Sequence, residues 1–408
     1  MVQKDFYIIW LIWLPVFSWG QEGCTDPLAL NYNASATAND GSCVYDQSIY
    51  TMGAVSDLPS PLLNENSGLI FFANHLWTIN DGGNNNTIYQ LDTLGNLIRE
   101  ISVIGASNID WEGISQNEEH IFIGDFGNNS GSREDLCIYE IDKENIIDPN
   151  VTEVGALKKP FVYANQNQFN WPLNEHNYDC EALIASNDSL YLFTKNWLNE
   201  EVNLYVLPSN WTDTASALFK QNFDSDGLIT DAVSSPESGL TLLLGYKNNG
   251  ANLYTSFVWL LWDHDSFDFF GGNKRRIEIG SMFTLGQTEG IALMNANDGF
   301  VSGEQISSVV TISPKLSSFD FSEYFYSGTM HVSESSSDQL GPYPNPGHHQ
   351  IVVSEKSGLF EIYDATTLKL VLTGKINSKK IDVSLLEAGA YLLKTPSSIS
   401  RFLKVNSP

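Results

Sequence analysis

The central part of the chain carries two short motifs that recur together, and this repeat constrains the fold more than any other feature. One of the two motifs is an aliphatic residue followed by Tyr. Its Tyr lies 22, 27, 24 and 23 residues after the first residue of the leading motif, in the first four copies of that motif. Two motifs that hold register over four repeats predict a body assembled from similar units. The leading motif is an acid or small polar residue, then Gly or Ala, then an aliphatic residue, and it occurs as Ser67-Gly68-Leu69, Glu112-Gly113-Ile114, Glu181-Ala182-Leu183, Asp231-Ala232-Val233 and Glu289-Gly290-Ile291.

Each repeat has room for four short strands, because β-branched and aromatic runs alternate with Asn, Asp and Gly turns. In the second repeat we predict strands at 112–115, 120–124, 136–141 and 161–164. Repeats of this kind favour an all-β body over residues 47–332, namely a five-bladed β-propeller, with six blades as the alternative. The rival architecture is a pair of β-sandwiches. We expect the run 50–55 to supply the outer strand of the last blade and so close the ring.

The leading acids of the repeats predict a binding site. In a propeller the first strand of each blade lines the central channel, so these acids would meet near one channel mouth. Asp110 and Asp179 stand two residues before two of them, on the same face of the strand. So many carboxylates cannot all stay ionised without compensation: a cation binds among them, some of their pKa values rise, or basic side chains reach them. Basic side chains are scarce, because the first 342 residues hold only thirteen Lys and Arg. We therefore predict a divalent cation, and calcium suits oxygen ligands best. The predicted ligands are Glu112, Glu181, Asp231 and Glu289.

These acids also have a structural interpretation. A carboxylate at the start of a strand can cap a turn or accept hydrogen bonds from backbone N–H groups of a neighbouring blade. The direction in which the side chains point separates the two interpretations.

The Asp-x-Glu-Gly-aliphatic pattern at 110–114 resembles secreted propellers of the phytase-like esterase and SdiA-regulated groups, and more distantly gluconolactonase-type propellers. The resemblance implies calcium in the channel and hydrolysis of an ester, a lactone or a phosphate by a metal-activated water. Asp110 or Asp179 would then act as the general base. Two function classes follow. We favour a binding or interaction module with a cation in its acidic channel mouth, and the metal-dependent hydrolase is the alternative. The sequence does not identify the ligand.

The N-terminus predicts export through the Sec translocon. Twelve apolar residues, Phe6 to Phe17, follow Lys4, and small residues at Ser18 and Gly20 form a cleavage pattern, so we assign residues 1–20 as a signal peptide. A run this short does not span a bilayer, which takes about 20 residues. No later stretch is apolar enough to do so, and we expect no transmembrane segment in the mature form. An N-terminal core element is the alternative.

Residues 21–46 resemble the short Gly-Cys-Thr-Asp…Asp-Gly-Ser-Cys modules of secreted bacterial proteins. In an oxidising compartment we expect Cys24 and Cys43 to form a disulfide. Asp26 and Asp40 supply oxygen atoms of the kind that calcium uses, and simple turns are the alternative. The two remaining cysteines lie in the body, at positions 137 and 180, and either pair or remain two separate buried thiols.

The tail differs from the body in charge. From residue 343 onward it carries seven Lys and one Arg against five acids, a net charge of +3, whereas the whole chain carries −28. Residues 333–342 lie at this change in charge, and because the segment is polar and low in complexity we predict that it is a linker. The acidic balance of the rest argues against nucleic acid as a partner.

The tail, residues 343–408, resembles the type A C-terminal sorting domain of the Bacteroidetes type IX secretion system. The residues that carry the resemblance are Tyr343, Pro344, Asn345, Pro346, Gly389, Tyr391 and Lys404. The resemblance implies a small β-sandwich, the type IX machinery as a partner, and a secreted or outer-membrane-surface location. A small domain that merely packs on the body is the alternative.

Overall fold

The computed structural model describes residues 21–186, 188–250, 253–307, 311–325, 349–353, 357–364, 369–377, 379–395 and 399–404. The predicted signal peptide, the linker and the opening of the tail (Tyr343, Pro344, Asn345 and Pro346) lie outside these residues. The regular elements of the described chain are almost all β-strands, as predicted, and the chain divides into two compact units, Met1–Thr329 and Met330–Pro408.

The N-terminal segment begins with two short parallel strands, β1 (Glu22–Gly23) and β2 (Ala38–Asn39). A disulfide joins Cys24 to Cys43 and closes the loop between them, which confirms the predicted pair. Two further strands follow, β3 (Ser48–Ile49) and β4 (Gly53–Asp57).

The body then contains five consecutive groups of strands. The first is β5 (Asn66–Phe72), β6 (His75–Asn80), β7 (Thr87–Leu91) and β8 (Leu97–Ile104). The second is β9 (Trp111–Gln116), β10 (His120–Asp125), β11 (Cys137–Asp142), the 3-10 helix Lys143–Ile146, β12 (Glu153–Gly155) and β13 (Leu157–Tyr163). The third is β14 (Cys180–Ala185), β15 (Ser189–Thr194), β16 (Val202–Pro208) and β17 (Ala215–Phe223).

The fourth group is β18 (Leu228–Ser234), β19 (Thr241–Asn248), β20 (Tyr254–Trp262) and β21 (Asn273–Ser281), followed by the single helical turn α1 (Met282–Leu285). The fifth is β22 (Gln287–Leu293), β23 (Asp298–Glu304), the small hairpin β24 (Ile306–Ser307) and β25 (Thr311–Ile312), and β26 (Lys315–Asp320). Within each group the strands of the main sheet pair antiparallel in chain order, and the hairpin of β24 and β25 forms a separate two-stranded sheet. Strand β12 instead joins the edge of the first group by pairing parallel with β8.

Two strands from the N-terminal segment complete the late groups. Strand β3 pairs with β21, and β4 pairs with β26 as the outer strand of the fifth group. The closing strand is therefore present, with bounds Gly53–Asp57 instead of the predicted run 50–55. A parallel pairing of β13 with β17 also joins the second and third groups into one eight-stranded sheet.

The first strands of the five groups lie side by side in a ring. Each of β5, β9, β14, β18 and β22 contacts the next, and β22 contacts β5. The unit is therefore propeller-like. The contact between β9 and β14 also brings the two ends of the eight-stranded sheet together, so that sheet is nearly closed.

Burial follows this arrangement. Inner strands such as β9 and β14 are buried at five successive residues, because protein covers both of their faces. Outer strands such as β8 alternate between buried and accessible residues, as expected for a sheet face that meets water. Trp77, Trp111 and Trp262 are among the largest fully buried side chains, so they serve as core. Cys137 and Cys180 are both buried and free, which makes them two separate thiols.

The C-terminal unit has its own apolar core, which includes Ile362 and Leu393. Residue Gly389 pairs with Lys404, so two residues of the predicted sorting motif face each other across neighbouring strands. Its six described strands form one antiparallel sheet in the order β27-β30-β29-β28-β31-β32, with bounds Gln350–Val352 (β27), Ser357–Asp364 (β28), Leu370–Asn377 (β29), Lys380–Asp382 (β30), Gly389–Lys394 (β31) and Ile399–Lys404 (β32).

Candidate functional site

Every inner strand of the ring contains one β-bulge at the same level. The pairing with the second strand skips one residue in each group, and that residue is left unpaired. A bulge bends the strand and re-aims the side chain of the extra residue. The five bulge residues are Gly68, Glu112, Glu181, Thr230 and Glu289.

This register differs from the motif alignment in two groups. The motif placed Ser67 and Asp231 beside Glu112, whereas the structure places Gly68 and Thr230 there. Gly68 has φ +66°, and a Cβ on it would lie 2.8 Å from the backbone nitrogen of Ile114, so this bulge needs glycine.

Asp231 consequently joins strands together. Its Oδ1 accepts the backbone N–H of Ala232 at 2.8 Å, and its Oδ2 accepts those of Ile291 at 2.7 Å and Leu69 at 3.3 Å. The carboxylate thus ties β18 to β22 and to β5. This is the structural alternative to the predicted metal ligand, and the structure does not bring Asp231 to the pocket that the three glutamates line.

That pocket has a volume of about 320 Å³ and lies at the bulge end of the inner strands. Asn129, Trp197, Tyr254 and Gln287 contribute to its wall. Its ionisable lining residues among those described are the acids Asp81, Glu112, Glu181, Glu289 and Glu304, together with Lys195, Tyr246 and Tyr254.

Lys195 is the one lining ammonium group among the described residues. It is only 4% exposed, and its Nζ lies 3.0 Å from Oε1 of Glu181 and 5.1 Å from the ring centre of Trp197. Burial by itself lowers the pKa of Lys195, but the carboxylates of Glu181, Glu289 and others hold that pKa well above its ordinary value. The lysine is therefore charged and neutralises one of the five acids.

Two glutamates in the pocket have carboxylate oxygens that no described protein group bonds. Gln287 donates a 2.6 Å hydrogen bond to Oε1 of Glu289, but Oε2 of Glu289 has no hydrogen-bond partner in the described residues. Glu112 is 7% exposed, and no hydrogen bond or ion pair to its carboxylate is found in the described part of the chain. Burial, reinforced by the charges of Glu181 and Asp81, raises the pKa of Glu112 well above its ordinary value.

A third feature is a group of carboxylates between the first and second strand groups. One oxygen each of Asp81, Asp110 and Glu112 lies within 4.8 Å of the others. Asp81 comes from the turn after β6, Asp110 from the connection into β9, and Glu112 from the bulge of β9. Burial raises the pKa of Asp110 to about 7, with help from the charges of Asp81 and Asp179, and burial raises the pKa of Asp81 to about 6.

Asp179, the second predicted general base, has a different environment. Its Oδ1 accepts the backbone N–H of Asn128 at 2.6 Å, and its Oδ2 accepts the side-chain N–H groups of Asn129 at 2.8 Å and Trp197 at 2.7 Å. Three donors thus use this carboxylate to fix the turn after β10 and one wall of the pocket.

The predicted calcium ligands of the N-terminal segment, Asp26 and Asp40, also accept hydrogen bonds within this segment. Asp26 accepts the backbone N–H of Leu28 at 2.8 Å and the hydroxyl of Tyr45 at 2.7 Å, and Asp40 accepts the backbone N–H of Ser42 at 3.0 Å. Within the described ranges, neither acid belongs to a group of three side chains able to share an ion.

Several pocket residues could not be predicted from the sequence because they lie at the end of the second strand of a group or directly after it. Pairing makes Asn80, Phe126, Lys195, Tyr246 and Glu304 equivalent, and the last three line the pocket. The sequence did contain a signal for these five residues. Each of them directly follows the second-strand residue that pairs with the residue just before the bulge. Finding it required the strand register.

The tail matches a known family. Residues 342–404 match the model described as "Secretion system C-terminal sorting domain". The chain is therefore exported by type IX secretion to the cell surface or the extracellular space, and the type IX machinery is a partner. No helix in the described residues has the length and apolar character needed to cross a membrane. No curated protein matches the chain.

Similarity to solved structures is weak. The extracellular domain of a protein provisionally assigned as a one component system in B. thetaiotaomicron is 12% identical, with a TM-score of 0.31, and the match covers 88% of this chain and 60% of that one. An α-L-arabinofuranosidase from Podospora anserina is 10% identical, with a TM-score of 0.38 and coverage of 67% and 98%. An α-L-arabinofuranosidase from Coprinopsis cinerea is 10% identical, with a TM-score of 0.38, and the match covers 67% of this chain and 96% of that one. TM-scores this low carry no argument about function.

The position of Asp231 generates a stability prediction. Replacing Asp231 by Ala leaves three buried backbone N–H groups without an acceptor, so we expect the free energy of unfolding to fall by about 2–4 kcal/mol. Urea unfolding followed by tryptophan fluorescence measures this, with Asp265→Asn, an exposed acid, as the near-neutral control. The loss should be equal in calcium and in EDTA. A loss seen only in calcium would return Asp231 to the list of ligands.

The raised pKa values of Asp81 and Asp110 predict a pH dependence. Between about pH 4 and pH 7 the folded protein binds protons that the unfolded chain has released, so these groups make the free energy of unfolding decrease as the pH rises. The charges that face Asp110 are Asp81, Asp125, Asp179 and Arg133. We expect Asp81→Asn/Asp110→Asn to be more stable than the wild type at pH 7.5 in EDTA, with the difference vanishing near pH 4.5. A difference that is independent of pH would contradict the assignment.

Proposed function

We propose that this chain is a secreted or cell-surface protein whose body is a five-bladed β-propeller acting as a binding module, with a cation held in the acidic pocket at the channel mouth. The five strand groups, the ring of inner strands and the closing strand β4 support the blade count. A ring of sheets presents an open mouth on which loops from every blade can meet a partner. Passage through the Sec translocon would precede the type IX step.

The charge of the pocket carries the proposal. Among the described lining residues, five carboxylates face one ammonium group, and the ion pair of Lys195 with Glu181 leaves four acids. Acids brought so close must bind protons or a cation. Near neutral pH, with calcium present outside the cell, a bound cation is the solution that also satisfies the open oxygens of Glu112 and Glu289. Calcium is the favoured ion, because every available lining acid offers oxygen.

This proposal predicts saturable binding of calcium. The full chain, stripped of metal with EDTA, should bind CaCl₂ in isothermal titration calorimetry, and its melting temperature should rise with calcium. Neutralising three pocket charges in Glu112→Gln/Glu181→Gln/Glu289→Gln should abolish both effects. The matched control, Asp188→Asn/Asp265→Asn/Glu323→Gln, removes three exposed charges and should leave both effects unchanged. A wild type that binds no divalent cation and melts equally in EDTA would remove the cation from the proposal.

A metal-dependent hydrolase of an ester, a lactone or a phosphate is the second candidate. The observation in its favour is the space next to the acids, because the same pocket of about 320 Å³ also has Lys195, Tyr246 and Tyr254 in its lining. An ion there would polarise a substrate oxygen and activate water, while the hydroxyl and ammonium groups would orient the substrate.

The hydrolase candidate predicts turnover that needs metal. A screen with p-nitrophenyl esters, aliphatic lactones and p-nitrophenyl phosphate should show at least one activity that EDTA abolishes and calcium restores. Tyr254→Phe should lower that activity while leaving calcium binding intact, because the tyrosine lines the pocket without belonging to the carboxylate group. Calcium binding without turnover of any of the three substrates would leave the binding module as the function.

A further inference from the structure

We infer that the calcium site is formed by Asp81, Asp110 and Glu112, at the side of the pocket between the first and second strand groups. This inference rests on the proposed function for the presence of a cation, and it assigns the ion to a set of ligands that shares only Glu112 with the leading acids of the repeat motif. Asp81 is not part of that motif, and the ligating oxygens come from three separate segments: a turn, a connection and a bulge.

The separations of these oxygens suit one ion. Two oxygens bound to the same calcium at about 2.4 Å lie at most about 4.8 Å apart. The three carboxylates meet this condition, with one oxygen of each inside 4.8 Å of the other two. Three carboxylate oxygens with open space beside them suit calcium, which takes six to eight oxygen ligands in a flexible geometry, whereas magnesium demands a near-ideal octahedron.

Glu112 gives an independent reason to place a ligand here. Its side chain is more than nine-tenths buried, lines the pocket, and has no hydrogen bond or ion pair in the described chain. A buried carboxylate without a partner is costly. Its neighbours in the described pocket do not supply one: Lys195 pairs with Glu181, and Gln287 bonds Glu289. The missing partner is supplied by a cation shared with Asp81 and Asp110.

Two glycines make the approach of these acids possible. A Cβ on Gly127 would lie 2.6 Å from both Oδ2 of Asp110 and Oε1 of Glu112, and a Cβ on Gly82 would lie 2.4 Å from Oδ1 of Asp110. Gly82 and Gly127 belong to the Asn- and Gly-rich turns that follow β6 and β10. At these two positions neither turn places a side chain in the space around the carboxylate of Asp110. The oxygens can therefore converge only because these two positions have no Cβ.

Two of the other acids are held by neighbouring protein groups. Glu181 is held by Lys195, and Asp231 by three backbone N–H groups. Glu289 has one oxygen bonded by Gln287. The trio supplies three of the six to eight oxygens that calcium takes, and water or an oxygen-rich ligand in the pocket would supply the others.

Calcium titration of single variants of the full chain tests this assignment. Asp81→Asn and Asp110→Asn should each weaken calcium binding at least about tenfold, because each removes one of three charged ligands. Asp188→Asn, which removes an exposed carboxylate outside the pocket, should stay within about threefold of the wild type. Melting in EDTA checks that every variant is folded.

A pair of glycine variants tests the geometry without changing any charge. Gly127→Ala places a methyl group among the oxygens of Asp110 and Glu112 and should weaken calcium binding at least about tenfold. Gly155→Ala is the matched control, because a Cβ there meets nothing within 4 Å, and it should bind like the wild type.

The outcomes separate the two proposals. If the wild type binds no calcium, both the proposed bound cation and this assignment are wrong. A wild type that binds calcium overturns the assignment alone if Asp81→Asn and Asp110→Asn bind equally well, or if Gly127→Ala matches Gly155→Ala. Loss in both Asp variants and in Gly127→Ala, with Asp188→Asn and Gly155→Ala unaffected, supports it.

Discussion

The mutual packing of five inner strands is the constraint on which the rest of the body depends. A strand covered on both faces has no solvent side, so a charged residue on it needs either hydrogen-bond partners, as Asp231 has, or a place where the regular pairing is interrupted. The interruption occurs at the same level in all five strands and takes the form of a bulge. Three of the five bulge residues are glutamates, and the ring brings them to one pocket. The electrostatics of the site are thus a result of how the core is closed.

The sequence predicted the fold to the extent that periodicity and composition determine it. The strand-rich body, the repeated groups, the closing strand and the Cys24–Cys43 disulfide could all be predicted, because each depends on local patterns or on the secreted context. The strand register could not be predicted. A motif of residue types does not reveal which residue the bulge leaves unpaired, so the alignment was displaced by one position at Ser67 and Asp231.

One residue of displacement changes the role of a side chain. Thr230 takes the bulge position in the fourth group, and Asp231 falls at the next position, where the first and third groups have Leu69 and Ala182. At that position a carboxylate meets backbone N–H groups of two neighbouring strands. For the same reason Lys195 was missed: it comes from a second strand, and a count of basic residues cannot show that one of them reaches the pocket.

The body is closed by residues from its two ends. Strand β4 pairs with β26, and Lys315 binds Asp57 at 2.8 Å across 258 positions of sequence. Contacts so distant along the chain form late in folding. During synthesis the partner of β4 emerges only just before the sorting domain at 342–404. A chain interrupted before that pairing is possible therefore also lacks the sorting domain, so a product with an open sheet edge at β4 carries no signal for the type IX step.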